Sequence, residues 1–74
     1  MPEIYSSALI GFNSLPDEGF VRLPVVAALW TCSRGTVWRW VKEGRIPAPY
    51  KLSPRTTAWR AGELRAALAK IERD

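Results

Sequence analysis

The run Thr31-Cys32-Ser33-Arg34-Gly35-Thr36-Val37-Trp38-Arg39-Trp40-Val41-Lys42-Glu43-Gly44-Arg45 constrains this chain more than any other part of it. Ser33 is a good helix N-cap, because its hydroxyl can accept from backbone N–H groups that a first turn leaves unpaired. Val37, Trp40 and Val41 recur at helical spacing on one side. Gly35, Arg39 and Lys42 fall on the opposite side, with Thr36 and Trp38 at its edges. Gly44 predicts the stop, and Ile46-Pro47 follows it. Upstream, Pro24 suits the first position of another helix, where its missing N–H costs nothing. Val25, Val26, Ala28 and Leu29 carry that helix to Leu29 or Trp30, leaving Thr31-Cys32 as the turn. Two short helices joined in this way predict a helix-turn-helix. The second helix has an apolar back and a basic front opened by glycine, which suits insertion into a DNA major groove. An amphipathic helix with a merely solvated charged face has the same pattern.

Charge distribution separates these readings. The whole chain carries only +4. Residues 21–60, however, hold Arg22, Arg34, Arg39, Lys42, Arg45, Lys51, Arg55 and Arg60 against the single acid Glu43. Residues 1–20 hold Glu3, Asp17 and Glu18 and no base. Positive charge concentrated on the helix-turn-helix and the segment after it is the electrostatic footprint of a nucleic-acid binder. An anionic membrane would also attract it, but no segment approaches the ~18 apolar residues of a spanning helix, and no signal peptide or lipidation signal is present.

A chain of 74 residues allows one small domain with one core. Such domains usually need staples or unusually large core residues. Cys32 is the only cysteine, so no intramolecular disulfide can form, and the absence of histidine removes the common zinc-ligand patterns. No metal or cofactor is expected. The four tryptophans supply large buried area instead. Trp40 and Trp59 are expected in the core and Trp30 partly buried. A lone cysteine without an export signal predicts a cytoplasmic, nucleoid-associated protein. Cys32 is expected to face the core; a reactive thiol beside Arg34 is the alternative.

Residues 1–19 mix apolar and polar residues without a sustained period, and Asn13-Ser14, Pro16 and Gly19 are breakers. They are expected to form an arm with at most an ordered fragment. Ile4, Tyr5, Leu9, Ile10 and Phe12 would pack on the domain or on a second copy of it. The domain itself is expected over residues 20–74. Pro47-Ala48-Pro49 ends the helical region. Tyr50-Lys51-Leu52 and Thr56-Thr57-Ala58-Trp59 are runs of β-favouring residues joined by Ser53-Pro54-Arg55, which predicts a hairpin. A last helix is expected from Arg60 to Ile71, with Leu64, Leu68 and Ile71 at helical spacing beside Ala67. The fold class is therefore mainly α with a small β-hairpin, a winged helix-turn-helix.

The run from Val21 to Leu64 resembles the excisionase and AlpA-type phage regulators, the minimal winged-helix relatives of the MerR DNA-binding head. The matching pieces are Val21-Arg22-Leu23-Pro24-Val25-Val26-Ala27-Ala28-Leu29, the stretch from Ser33 to Pro47, Pro49-Tyr50-Lys51-Leu52, and Trp59-Arg60 before the final helix. The resemblance implies a DNA-binding protein without catalytic chemistry. Members of that family switch an integrase toward excision or control phage and mobile-element promoters. An integrase is therefore an implied partner, alongside double-stranded DNA. The family often has glycine in the turn where this chain has Thr31, a poor choice if positive φ is needed there. Nothing after Arg60 is long enough for the coiled coil and effector domain of full MerR proteins, so inducer sensing is not expected.

The candidate DNA-binding residues are Ser33, Arg34, Gly35, Thr36, Trp38, Arg39, Lys42, Lys51, Arg55 and Arg60. Arg39 is the first choice for base readout, since a guanidinium can pair with guanine O6 and N7. Ser33 serves as a cap or meets a phosphate. Lys42 meets backbone; Trp38 braces Arg39, packs under the wing or touches a thymine methyl. Lys51 and Arg55 reach phosphate or minor groove from the wing, and Arg60 and Arg45 complete the rim. A protein-interaction module of antitoxin or anti-repressor type is the competing class, and the basic span 21–60 favours DNA over it. An enzyme is not expected: Asp17, Glu18, Glu43 and Glu63 form no spaced pair on one element, and there is no Gly-rich phosphate loop. A hairpin this small offers no aromatic sheet for RNA. One short recognition helix also predicts self-association of copies on DNA, through the arm or the last helix.

Overall fold

The computed structural model describes residues 10–72. Residues 10–14 are helical (α1), followed by β1 (Phe20–Val21), α2 (Leu23–Trp30), α3 (Arg34–Lys42), β2 (Tyr50–Ser53), β3 (Thr56–Arg60) and α4 (Ala61–Ala69). The strands form one antiparallel sheet in the order β1-β3-β2. This is the expected winged helix-turn-helix, mainly helical, with a third strand added to the hairpin. That strand is only Phe20 and Val21, paired with Arg60 and Trp59. Two residues carry no period, so nothing in the sequence marked it.

Pro24 lies in the first turn of α2 as expected. Its end is less ordinary. Thr31 adopts φ 50 and ψ 48, in the left-handed region. Its N–H reaches Ala28 O at 3.2 Å, and the Cys32 N–H reaches Ala27 O at 3.0 Å. These two bonds close the last turn as a Schellman motif, with a β-branched residue at the position glycine usually fills. The α3 helix ends in the same motif, and there Gly44 supplies φ +83. The Arg45 N–H bonds Trp40 O at 2.8 Å and the Gly44 N–H bonds Val41 O at 3.1 Å.

The core gathers Phe12, Val21, Val26, Val37, Ile46, Trp59, Ala61 and Leu64. Trp59 is its largest side chain, 1% exposed, and its indole N–H donates to Pro47 O at 2.8 Å. A buried indole needs such an acceptor, and the loop after α3 provides it. Trp40, expected in the core, is only half-buried. It packs at the edge, because α4 stops at Ala69 and leaves Ile71 58% exposed rather than folded over it.

Residues 10–19 are tied into the domain. The helical stretch 10–14 runs through Asn13 and Ser14, where a break was expected, and Ser14 Oγ bonds back to Ile10 O at 3.0 Å. Phe12 is buried, whereas Ile10 is exposed. Ile4, Tyr5 and Leu9 lie outside the described residues. The N-terminus of α4 has no side-chain cap; its Ala61 and Gly62 N–H groups donate to Gly19 O and Asp17 O at 2.8 and 2.9 Å. This approach needs glycine at 62, since a Cβ there would lie 2.8 Å from Asp17 Cβ. Arg65 secures the other side: its guanidinium donates to Asp17 Oδ1 and to the carbonyls of Phe12 and Leu15 at 2.6–2.7 Å.

A left-handed conformation costs a residue with a Cβ about 1–2 kcal/mol. Thr31→Gly is therefore expected to raise stability by about 1 kcal/mol, or ~4–8 °C in melting temperature. Thermal unfolding followed by circular dichroism checks this; a lower melting point would show that Thr31 holds the turn by some other interaction.

Candidate nucleic-acid interface

The front of α3 is built from its cap outward. Ser33 Oγ accepts from the Thr36 N–H at 3.2 Å and shares a 2.9 Å hydrogen bond with Thr36 Oγ1. Both hydroxyls are thus engaged with each other, and Ser33 serves as the cap. Val37 is fully buried, which turns Arg34, Gly35, Trp38, Arg39 and Lys42 outward, all of them exposed. A Cβ built on Gly35 would meet nothing within 4 Å, so the glycine is not demanded by packing inside the protein. Among the described residues the ion pairs are Arg45 with Glu43 at 2.9 Å and Arg65 with Asp17 at 2.6 Å. Arg45 is thereby partly neutralised at the rim, while Arg34, Arg39 and Lys42 have no carboxylate partner among those residues.

Trp38 does what one of its three expected roles required. It is 43% exposed, and its ring lies 5.4 Å from that of Trp59, tilted by 44°. It packs at the base of the wing, between α3 and β3. Cys32 is half-buried. Burial pushes its thiol up from the ordinary value, and the Arg39 charge only partly offsets this. The thiol is therefore protonated at neutral pH, which argues against the reactive alternative.

The wing comprises β2, β3 and a turn at Pro54-Arg55, where the Arg55 N–H donates to Ser53 Oγ at 3.3 Å. Lys51 pairs with Thr57 and Ser53 with Thr56, so Leu52 is bulged out of register and 49% exposed. Lys51 and Arg55 are exposed as expected. Arg60 departs from its expected place. Side chains alternate along β3, so Arg60 projects from the face opposite Trp59. Its guanidinium lies 4.8 Å from the Phe20 ring centre and 5.2 Å from that of Tyr50. The Tyr50 hydroxyl donates to Glu63, and this bond holds the phenol above its ordinary range. Arg60 is thus enclosed in an aromatic cluster of the sheet, with its Nε buried and without a hydrogen-bond partner. It does not join the α3 face.

Two concave surfaces flank Trp38. A shallow one is formed with Arg39, Val41 and Lys42. The other, of about 530 Å³, runs between the start of α2, the start of α3 and the wing, where Arg22, Arg34 and Arg55 line it with Trp38, Thr57 and Trp59. Arg22 was not among the candidates. Its charge was visible within the basic span, but nothing in the sequence said that the start of α2 faces the wing. A separate groove of about 780 Å³ lies between Trp30, Trp40, Pro47 and the end of α4. No described helix is long and apolar enough to cross a membrane. No group of ligating side chains suited to a metal occurs among the described residues.

These features define a small winged helix-turn-helix protein with a basic face. The chain matches the family described as Prophage CP4-57 regulatory protein (AlpA) over residues 19–70, and it belongs to that family of prophage regulatory proteins. Neither the curated proteins nor the solved structures compared with it gave a match. The family description is that of a regulator, not of an enzyme.

The facing of α3 makes opposite demands on its two sides. Arg39→Ala is expected to weaken a high-affinity duplex, selected from a random pool, by about 1–3 kcal/mol while leaving the melting temperature unchanged. Val37→Ala is expected to cost about 2 kcal/mol of stability, because it empties volume in a closed core. Binding and melting curves on the two variants check this, and the reverse pattern would mean that the helix is turned the other way.

Proposed function

We propose that this protein binds double-stranded DNA with sequence specificity and acts as an excisionase, a transcriptional regulator of a phage or mobile element, or both. The observation that carries this reading is the run of exposed cations, Arg34, Arg39 and Lys42 on α3 and Lys51 and Arg55 on the wing, with no carboxylate partner among the described residues. Cations held apart from acids repel one another in the free protein, and a polyanion relieves that repulsion. Membership of a prophage regulatory family supports the same reading.

In this mechanism α3 lies in the major groove with Arg39 aimed at a guanine edge and Lys42 at backbone. Ser33 presents the helix start, already capped, and Gly35 leaves room for close approach of the duplex. Trp38 sets the distance between α3 and the wing through its contact with Trp59. Lys51 and Arg55 then follow the backbone beside the groove. A single module of this kind buries only about 600–1,000 Å² and reads few base pairs. Specificity therefore requires several copies side by side on repeated half-sites, on DNA curved at an elastic cost of about a few kcal/mol. Copies bound in this way would redirect an integrase without chemistry of their own, by changing DNA shape and offering a docking surface.

Contacts to about five phosphates predict a slope of log affinity against log salt of about −4 to −5, and Lys51→Ala is expected to reduce it by about one. Gel shifts on a natural site, with the bend mapped by circularly permuted fragments, are expected to show cooperative multiple occupancy of curved DNA. A lone monomer on straight DNA would leave simple promoter control as the function. Salt-independent binding would remove the DNA reading altogether.

A further inference from the structure

We infer that Arg22, Arg34 and Arg55 together form a single phosphate-binding cleft, which seats one phosphodiester of the duplex between the two helices and the wing. The inference rests on the DNA-binding function proposed above and assigns a site within it. The three residues come from three different elements: Arg22 precedes α2 as its N-cap, Arg34 opens α3, and Arg55 stands in the turn between β2 and β3. All three line one groove of about 530 Å³, and no acidic residue lines it. None of the three is in an ion pair among the described residues, and all are exposed.

Three guanidinium groups around one concavity raise its positive potential, and the N-terminal ends of α2 and α3 at Arg22 and Arg34 add to it. A phosphodiester offers two anionic oxygens, and the planar guanidinium fork matches them with paired N–H donors. Trp38 and Trp59 line the same groove, and their mutual contact fixes the base of the wing against α3. The cleft is therefore a registering contact. It fixes α3 relative to the backbone and carries no sequence information. It also gives Arg34 a role different from base readout, although it shares the helix with Arg39.

Sharing one phosphate has a signature that separate contacts lack. Binding of a fluorescein-labelled duplex of random sequence is measured by anisotropy across a series of KCl concentrations. Arg22→Ala is expected to weaken binding about tenfold with little change in the salt slope, because two cations still hold the phosphate. The triple variant Arg22→Ala/Arg34→Ala/Arg55→Ala is expected to lower the slope by about 0.9, the release of one phosphate's counterions. Arg22→Lys retains the charge and is expected to recover most of the affinity. Melting temperatures confirm that each variant is folded. A fall of about 2.7 in the triple variant would mean three separate phosphates and overturn the shared cleft. An unchanged slope and affinity in the triple variant, with a steep slope in the unaltered protein, would remove the cleft but keep the DNA-binding function. Salt-independent binding by the unaltered protein would overturn both.

Discussion

The packing of Trp59 is the interaction on which the rest of this structure depends. One side chain near the end of β3 fills the core, donates its N–H to the loop after α3 and touches Trp38 on the helix. A sheet of two- to five-residue strands has little stability of its own. The wing has a defined position because its longest strand is pinned by a buried indole that also needs Pro47 O. Without it, α3 and the wing would be two basic elements with no fixed spacing, and the proposed contact of one duplex with both would lose its geometry.

A second constraint comes from the small size of the chain. With no disulfide available and a short core, the domain recruits residues 10–19 as a brace. Phe12 adds to the core, and Arg65 gathers two carbonyls and the Asp17 carboxylate from that segment. The same segment supplies acceptors for the first N–H groups of α4. Arg65 is thus bound to structure, and so is Arg60 within its aromatic cluster. Arg34, Arg39 and Lys42 on α3 and Lys51 and Arg55 on the wing are left without such partners among the described residues, as is Lys70 at the end of α4. The sorting of basic residues into structural and free ones, rather than the modest net charge, is what supports the proposed DNA-binding face.

Much of the α3 face was legible beforehand because helix geometry is local. Ser33, the Val37-Trp40-Val41 spacing and Gly44 predicted start, facing and stop, and all three hold. Thr31 shows the same locality from the other side. The turn demands left-handed backbone whichever residue stands there, and Thr31 adopts it under strain. Residues 10–14 were harder to read, because their helix depends on contacts with α4 and Asn13-Ser14 suggested a break.

The amino-acid sequence by itself determined the helix-turn-helix, the hairpin after it, the basic span and the lack of metal-ligand patterns, since each follows from spacing or composition. Only the tertiary structure decided which cations stand together. Arg22 and Arg55 are far apart along the chain and share a groove because the start of α2 meets the wing. Arg60 directly follows Trp59 yet points the other way, because side chains alternate across a strand and only one face of β3 looks toward α3. Trp40 and Trp59 were both expected in the core, but only Trp59 is closed in, with its N–H on Pro47 O, while Trp40 stays at the edge. These outcomes depend on packing between segments distant in the chain, which no local periodicity encodes.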